Sequence, residues 1–147
     1  MKPIQGVRVL DLSRMVAGGV AGMLLADFGA EVVKVEQPAV GDPLRQWTTD
    51  GDALWWTVYA RNKRFVTLDI KSPRGQEILR ALVPRFDVLM ESFVPVTLER
   101  LGFGWDLLRQ LHPGLILLRI SGWGQTGPAR TRPASAHSSR RQAASRR

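Results

Sequence analysis

Val7-Arg8-Val9-Leu10-Asp11-Leu12 and Glu31-Val32-Val33-Lys34-Val35 are the two stretches on which the fold turns. Each is short, apolar and rich in β-branched residues, the pattern of a strand covered on both faces. Between them Val20, Met23, Leu24 and Phe28 recur at helical spacing, and Gly29 stands where a helix ends in a left-handed residue. Ser13 to Gly19, with two glycines, reads as the turn into that helix. Strand, helix and strand within the first 36 residues form a β-α-β unit. A crossover of that length makes the two strands parallel and the connection right-handed.

Working outward, Pro38 to Asp52 is rich in Gly, Pro and Asp and reads as a loop lying over something, followed by a short apolar stretch from Ala53 to Ala60. Phe65 to Asp69 reads as a strand. Ser72 and Pro73 then open a helix as N-cap and first helical residue, with Ile78, Leu79, Leu82, Val83 and Phe86 along one face. Asp87 to Met90 is a further strand, Val96 to Leu101 and Trp105 to Leu111 are short helices, and Leu115 to Ile120 is the most apolar strand. Strands alternating with helices throughout predict a doubly wound α/β sheet. The pattern ends at Gly122-Trp123-Gly124-Gln125-Thr126-Gly127-Pro128, and no internal repeat is found.

The charge is as uneven as the pattern. The 147 residues carry a formal +8, but six arginines (130, 132, 140, 141, 146 and 147) and no acid lie between Ala129 and Arg147. The first 128 residues are left with 15 basic against 13 acidic side chains. With 44% apolar residues in the chain as a whole, the near-neutral body can bury a core. The tail has no large apolar residue and is expected to be disordered. No apolar run approaches the ~18 residues of a membrane helix, and the N-terminus lacks the pattern of a signal peptide, so a cytoplasmic protein is the expectation. Cysteine is absent and only His112 and His137 offer imidazoles, which argues against a disulfide framework, a Cys-ligated metal or a histidine-rich site.

Several groups bear on chemistry. The turn Ser13-Arg14-Met15-Val16-Ala17-Gly18-Gly19 lies at the carboxyl edge of a parallel sheet and opens a helix, where such folds bind anions through backbone N–H groups. It is neither a G-x-G-x-x-G fingerprint nor a Walker A loop. Glycines serving only a tight turn explain it equally well. Lys63, Arg64 and Lys71 gather cations around one strand, either for phosphates or as a solvated cluster. Phe93 and Arg100 flank a turn containing Pro95, and either face a nucleotide base or belong to packing and surface. Trp47, Trp55 and Trp56 beside the long loop either cover a ligand, meet a partner or form a second apolar cluster. Asp11 ends a strand and is a catalytic candidate by position, with a structural cap as the simpler role.

Together these pieces resemble one family. Val9-Leu10-Asp11-Leu12-Ser13-Arg14 with Ala17-Gly18, then Met23 through Phe28-Gly29-Ala30-Glu31 to Glu36, are similar to the opening of the family III CoA-transferases. This group includes formyl-CoA transferase, carnitine CoA-transferase and α-methylacyl-CoA racemase. Asn62 to Arg64, Thr67 to Lys71, Glu91-Ser92-Phe93, Leu98 to Gly102 and Ile120 to Pro128 continue the resemblance in order, over residues 4 to about 133.

The resemblance implies a Rossmann-like, mostly parallel sheet, incomplete in this chain, in a longer enzyme whose two subunits interlock. It implies CoA transfer between an acyl-CoA and a carboxylic acid through an aspartate that forms an anhydride and then an aspartyl-CoA thioester, or racemase chemistry on the same N-terminal half. CoA or acyl-CoA is then the substrate, with no tightly bound cofactor and no metal. The CoA contacts carried over by motif are Arg14, Met15, Val16, Ala17, Gln37, Leu68, Asp69, Ile70, Lys71, Ser92, Phe93 and Arg100.

Departures from the family pattern are informative. Ser92-Phe93-Val94-Pro95-Val96 stands where the family commonly has Asn-Phe-Arg-Pro-Gly, and Gly19 replaces a usual proline. The family's aspartate lies downstream of Gly-Gln-Thr-Gly-Pro, and this sequence has no acid after Asp106. Arg132-Pro133-Ala134-Ser135-Ala136-His137 is what codons for the family's Arg-Pro-Gly-Phe-Gly-Thr give after loss of one nucleotide. The same shift accommodates the residues up to Arg146, Gln142 excepted. The expectation is therefore a CoA-binding part in residues 1–128 and a frameshifted basic tail in residues 129–147, with no catalytic aspartate, poor solubility and no activity alone. A basic-tailed nucleic-acid-binding module is the competing class, although nucleic acid and membrane are not expected partners. An NAD-dependent Rossmann domain lacks its glycine fingerprint.

Overall fold

The computed structural model describes residues 1–132; the arginines beyond Arg132 and the codon argument lie outside the described residues. Five strands, β1 (Arg8–Asp11), β2 (Glu31–Glu36), β3 (Lys63–Thr67), β4 (Val88–Glu91) and β5 (Ile116–Arg119), form one sheet in the order β3-β2-β1-β4-β5. Every neighbouring pair is parallel. The helices are α1 (Met15–Asp27), α2 (Leu54–Tyr59), α3 (Pro73–Leu82), α4 (Thr97–Arg100) and α5 (Trp105–Leu111), with 3-10 turns at Pro43–Gln46 in the long loop and at Val83–Arg85 after α3. The α/β, doubly wound reading is borne out, and the chain reverses its direction across the sheet between β1 and β4.

Alternation along the strands divides the core. Leu10 and Leu12 of the β1 segment, Val35 of β2 and Leu89 of β4 face one way, where Leu79, Val83, Leu98, Phe103 and Leu108 close a large apolar cluster. Val9, Val32, Val88 and Met90 face the other way and meet Ala26 and Ala30. Each large aliphatic side chain so buried contributes about 1.5–3 kcal/mol.

Helix α1 does not use the face that its apolar spacing indicated. Leu24 and Phe28 are exposed, and the buried residues are Gly18, Gly19, Gly22, Met23 and Ala26. A Cβ on Gly18 would overlap the Ser13 side chain, and one on Gly22 would stand 2.7 Å from Lys63 Nζ. Closeness to the sheet, made possible by missing side chains, decides the face here. The helix ends as expected at Gly29, φ +112°.

Helix α3 follows its sequence signals. Ser72 Oγ accepts from Gly75 N–H at 3.0 Å, Pro73 opens the helix, and Leu79 is buried, while Ile78 is exposed. Strand β3 begins two residues earlier than Phe65, because Lys63 is pulled inward to an ion pair. None of the described helices is long and apolar enough to cross a membrane.

Candidate functional site

In a doubly wound sheet, ligands settle beyond the carboxyl ends of the strands near the point where strand order reverses. A cleft lies there. Its walls are Leu12, Ser13 and Arg14 after β1, Val35, Glu36, Gln37, Gly41 and Asp42 at the end of β2, Leu68, Asp69, Ile70 and Lys71 after β3, and Phe93 after β4. Its cavity volume is about 90 Å³, well below the ~300–1,000 Å³ of enclosed small-molecule sites, so it is an open groove.

The turn after β1 is fixed from three directions. Ser13 N–H donates to Asp11 Oδ1 at 2.8 Å and Ser13 Oγ donates to the same oxygen. Arg14 N–H donates to Ser92 Oγ at 2.8 Å, and Met15 N–H donates to Asp42 Oδ1 and Oδ2 at 3.2 and 3.3 Å. Three successive amides at the start of α1 are therefore taken by side chains. The carboxylate of Asp42 already occupies part of the positive helix end, so within the Ser13 to Gly19 turn the amides of Ser13, Arg14 and Met15 are not open to an anion.

Beneath the cleft on the α1 face lies a buried network of charges. Lys34 Nζ donates to Ser13 O at 2.6 Å and pairs with Asp42 Oδ2 at 3.0 Å, and both side chains are 2% exposed. Glu36 receives Asp42 N–H at 3.1 Å and pairs with Arg45 through two bonds of 2.9 and 3.0 Å. Arg45 in turn lies 3.8 Å over the Trp56 ring, a cation–π contact. Lys63 Nζ lies 3.4 Å from Asp11 Oδ2 and donates to Gly19 O at 3.0 Å. Burial raises the Asp42 pKa, but the Lys34 ammonium and the bonds from Leu44 and Met15 N–H outweigh it and hold the carboxyl below its ordinary value. Burial lowers the Lys63 pKa, and the Asp11 carboxylate only partly offsets this.

On the β4 side, Glu91 accepts Phe93 N–H at 2.6 Å and Arg119 Nε at 2.7 Å, and Arg119 also grips Glu99 of α4 at 2.7 and 3.1 Å. This chain of bonds sets Phe93 at the rim of the cleft.

Of the residues singled out from sequence, Arg14, Gln37, Leu68, Asp69, Ile70, Lys71 and Phe93 line this one cleft. Met15, Val16 and Ala17 begin α1 beside it, Ser92 bridges Arg14 from behind, and Arg100 lies on α4 outside the lining. The cation cluster around β3 does not converge. Lys63 points inward to Asp11, Arg64 pairs with Glu31, and only Lys71 reaches the cleft. Asp11 serves structure, accepting from Ser13 and pairing with Lys63. Lys34, Glu36, Asp42 and Glu91 carried no sequence expectation as site residues. A charge in the middle of a doubly covered strand, as in Val33-Lys34-Val35, is itself a signal, because it has to be paired. No group of three or more His, Cys, Asp or Glu able to hold a metal occurs among the described residues.

The family description "CoA-transferase family III" matches residues 4–144. The chain belongs to the family III CoA-transferases. Among relatives of this family, succinyl-CoA–D-citramalate CoA-transferase of Chloroflexus aurantiacus is 52% identical over 132 residues, 88% of this chain and 33% of the relative. The succinyl-CoA–L-malate CoA-transferase beta subunit of the same organism is 47% identical over 134 residues, 89% of this chain and 33% of its own length. The chain thus spans about a third of the length of these relatives. The crystal structure of a CaiB/BaiF family protein from Brucella suis matches with a TM-score of 0.85 and 35% identity, covering 92% of this chain and 38% of that one. The family III fold therefore extends over the five-stranded sheet and the cleft at its edge.

Proposed function

We propose that residues 1–128 form the CoA-binding part of an enzyme that moves CoA between an acyl-CoA and a carboxylic acid. The observation that carries this reading is that Arg14, Gln37, Leu68 to Lys71 and Phe93, far apart in sequence, line one cleft at the carboxyl edge of the sheet. Arg14 and Lys71 have no acidic partner among the ion pairs of the described residues. Their charges are free for the phosphates of CoA, and the Phe93 ring offers an apolar face to its adenine. Arg100 meets the ligand only if CoA extends beyond the cleft.

In this reading CoA transfer runs through an aspartate, which forms an anhydride with the acyl group and then, as the acyl group leaves as its carboxylate, a thioester with CoA. The sequence has no Asp or Glu after Asp106, and we expect no turnover from this chain alone. Out-of-frame translation of residues 129–147 is a separate reading, against which the family match through residue 144 counts, and the coding DNA tests it: an alternative frame that stops at once or encodes no family sequence overturns it. Exposed Trp47, Leu54, Trp55 and Val58 support a larger assembly, the interlocked dimer of a complete cytoplasmic enzyme.

Calorimetric titration of the full chain with CoA tests the reading. Binding that weakens about tenfold in Lys71→Ala and in Arg14→Ala is expected; no binding by the unaltered chain overturns it. Succinyl-CoA, the donor named for both relatives, is the second ligand to titrate.

A further inference from the structure

We propose that Asp42 is a positioning residue for CoA, setting the separation between the two walls of the cleft; this deepens the CoA reading and rests on it. Gln37 lines one wall, in an exposed segment that runs to Val40 and is held at its ends, by Glu36 in β2 and by Asp42. The opposite wall is the turn carrying Arg14. The Asp42 carboxylate joins them. It accepts from Met15 N–H across the cleft floor, from Leu44 N–H at 2.9 Å in its own loop, and it pairs with Lys34 of β2 at 3.0 Å. Its own N–H returns to Glu36, so the bend at Gly41, φ +71°, is closed on both sides.

Charge is essential to this arrangement. Two carboxylate oxygens serve three donors, one of them an ammonium, and charge-assisted bonds are roughly twice as strong as neutral ones. A neutral amide of the same shape has a single acceptor oxygen, so at least one of Met15, Leu44 and Lys34 loses its partner. Met15 N–H reaches both oxygens, at 3.2 and 3.3 Å, so in the amide it keeps an acceptor but loses the charge, while its backbone is held at φ +63°, an unfavourable conformation for a residue with a side chain. The weaker bond lets the Arg14 turn relax away from the Gln37 wall.

A merely structural Asp42 would affect binding only through folding, and two variants separate these roles. Asp42→Asn strands the Lys34 ammonium in the interior, so both the thermal midpoint and CoA affinity are expected to fall, the affinity about tenfold. Lys34→Met/Asp42→Asn removes the stranded charge. Its midpoint is expected to recover most of the loss while CoA affinity, measured by calorimetry on the full chain well below the midpoint, stays about tenfold low. Recovery of affinity together with the midpoint overturns the proposal, as does unchanged affinity in Asp42→Asn. Lys71→Ala is titrated alongside. If it weakens CoA while both Asp42 variants bind normally, the CoA reading stands and the positioning role falls; if the unaltered chain binds no CoA, both fall.

Discussion

Leu79 of α3 and Val83 just after it fill the space between helix and sheet with side chains, whereas Gly18, Gly19 and Gly22 of α1 bring the helix backbone down onto Ser13, Tyr59 and the Lys63–Asp11 pair. The α3 face is an oil-like layer of eleven buried apolar residues; the α1 face has six, and buried charges continue it toward the cleft. In β2 the division is visible residue by residue, with Val33 and Val35 on the apolar side and Val32, Lys34 and Glu36 on the other. The two faces should therefore fail differently. One loses stability when volume is removed, the other when a charge is left without its partner.

The largest expected effect is on the charged face. Lys63→Met leaves the fully buried Asp11 carboxylate unpaired and is expected to cost about 3–5 kcal/mol in a urea titration; a near-neutral result would mean that α1 is held by packing alone. Leu79→Ala on the opposite face removes a fully buried side chain and is expected to cost about 2–5 kcal/mol, with little dependence on pH.

Acid should separate the faces further. The folded-state pKa values of Asp42 and Glu99 lie below the 3.8 and 4.5 of the free groups, so their stabilisation is complete above about pH 4.5 and is lost as pH falls through the folded values. Lys63 acts with the opposite limb: its folded value lies below 10.5, so stability rises as pH climbs between the two. Urea midpoints from about pH 3 to pH 10 check both slopes, and a flat acid limb would show that the Lys34–Asp42 pair contributes nothing net.

The smallest effect has the opposite sign. Val96, φ +75°, holds a β-branched side chain in the left-handed region. Val96→Gly is expected to stabilise the chain by about 1 kcal/mol, read as a higher thermal midpoint.

These differences also explain what could be read in the sequence. β1, β4 and β5, and the Ser72-Pro73 start of α3, were legible because apolar runs and a cap are local signals. The face of α1 was not, because periodicity registers large side chains and this helix packs through missing ones, leaving Leu24 and Phe28 outside. The cleft was legible in part. Arg14, Lys71 and Phe93 sit in turns after strands and were found by position, while Lys34, Asp42 and Glu91 depend on partners 21, 27 and 28 residues away, which no local pattern shows. Lys63 misled for the same reason, since its partner Asp11 is 52 residues distant.

The three amides that open α1 have one more consequence. Helix starts ordinarily exchange their amide hydrogens quickly, because the first N–H groups have no partner inside the helix. Here Ser13, Arg14 and Met15 donate to acceptors belonging to β1, the segment after β4 and the segment after β2. Each of these amides exchanges only when its own acceptor withdraws, so Ser13, Arg14 and Met15 should exchange more slowly than the unpartnered amides of an ordinary helix start.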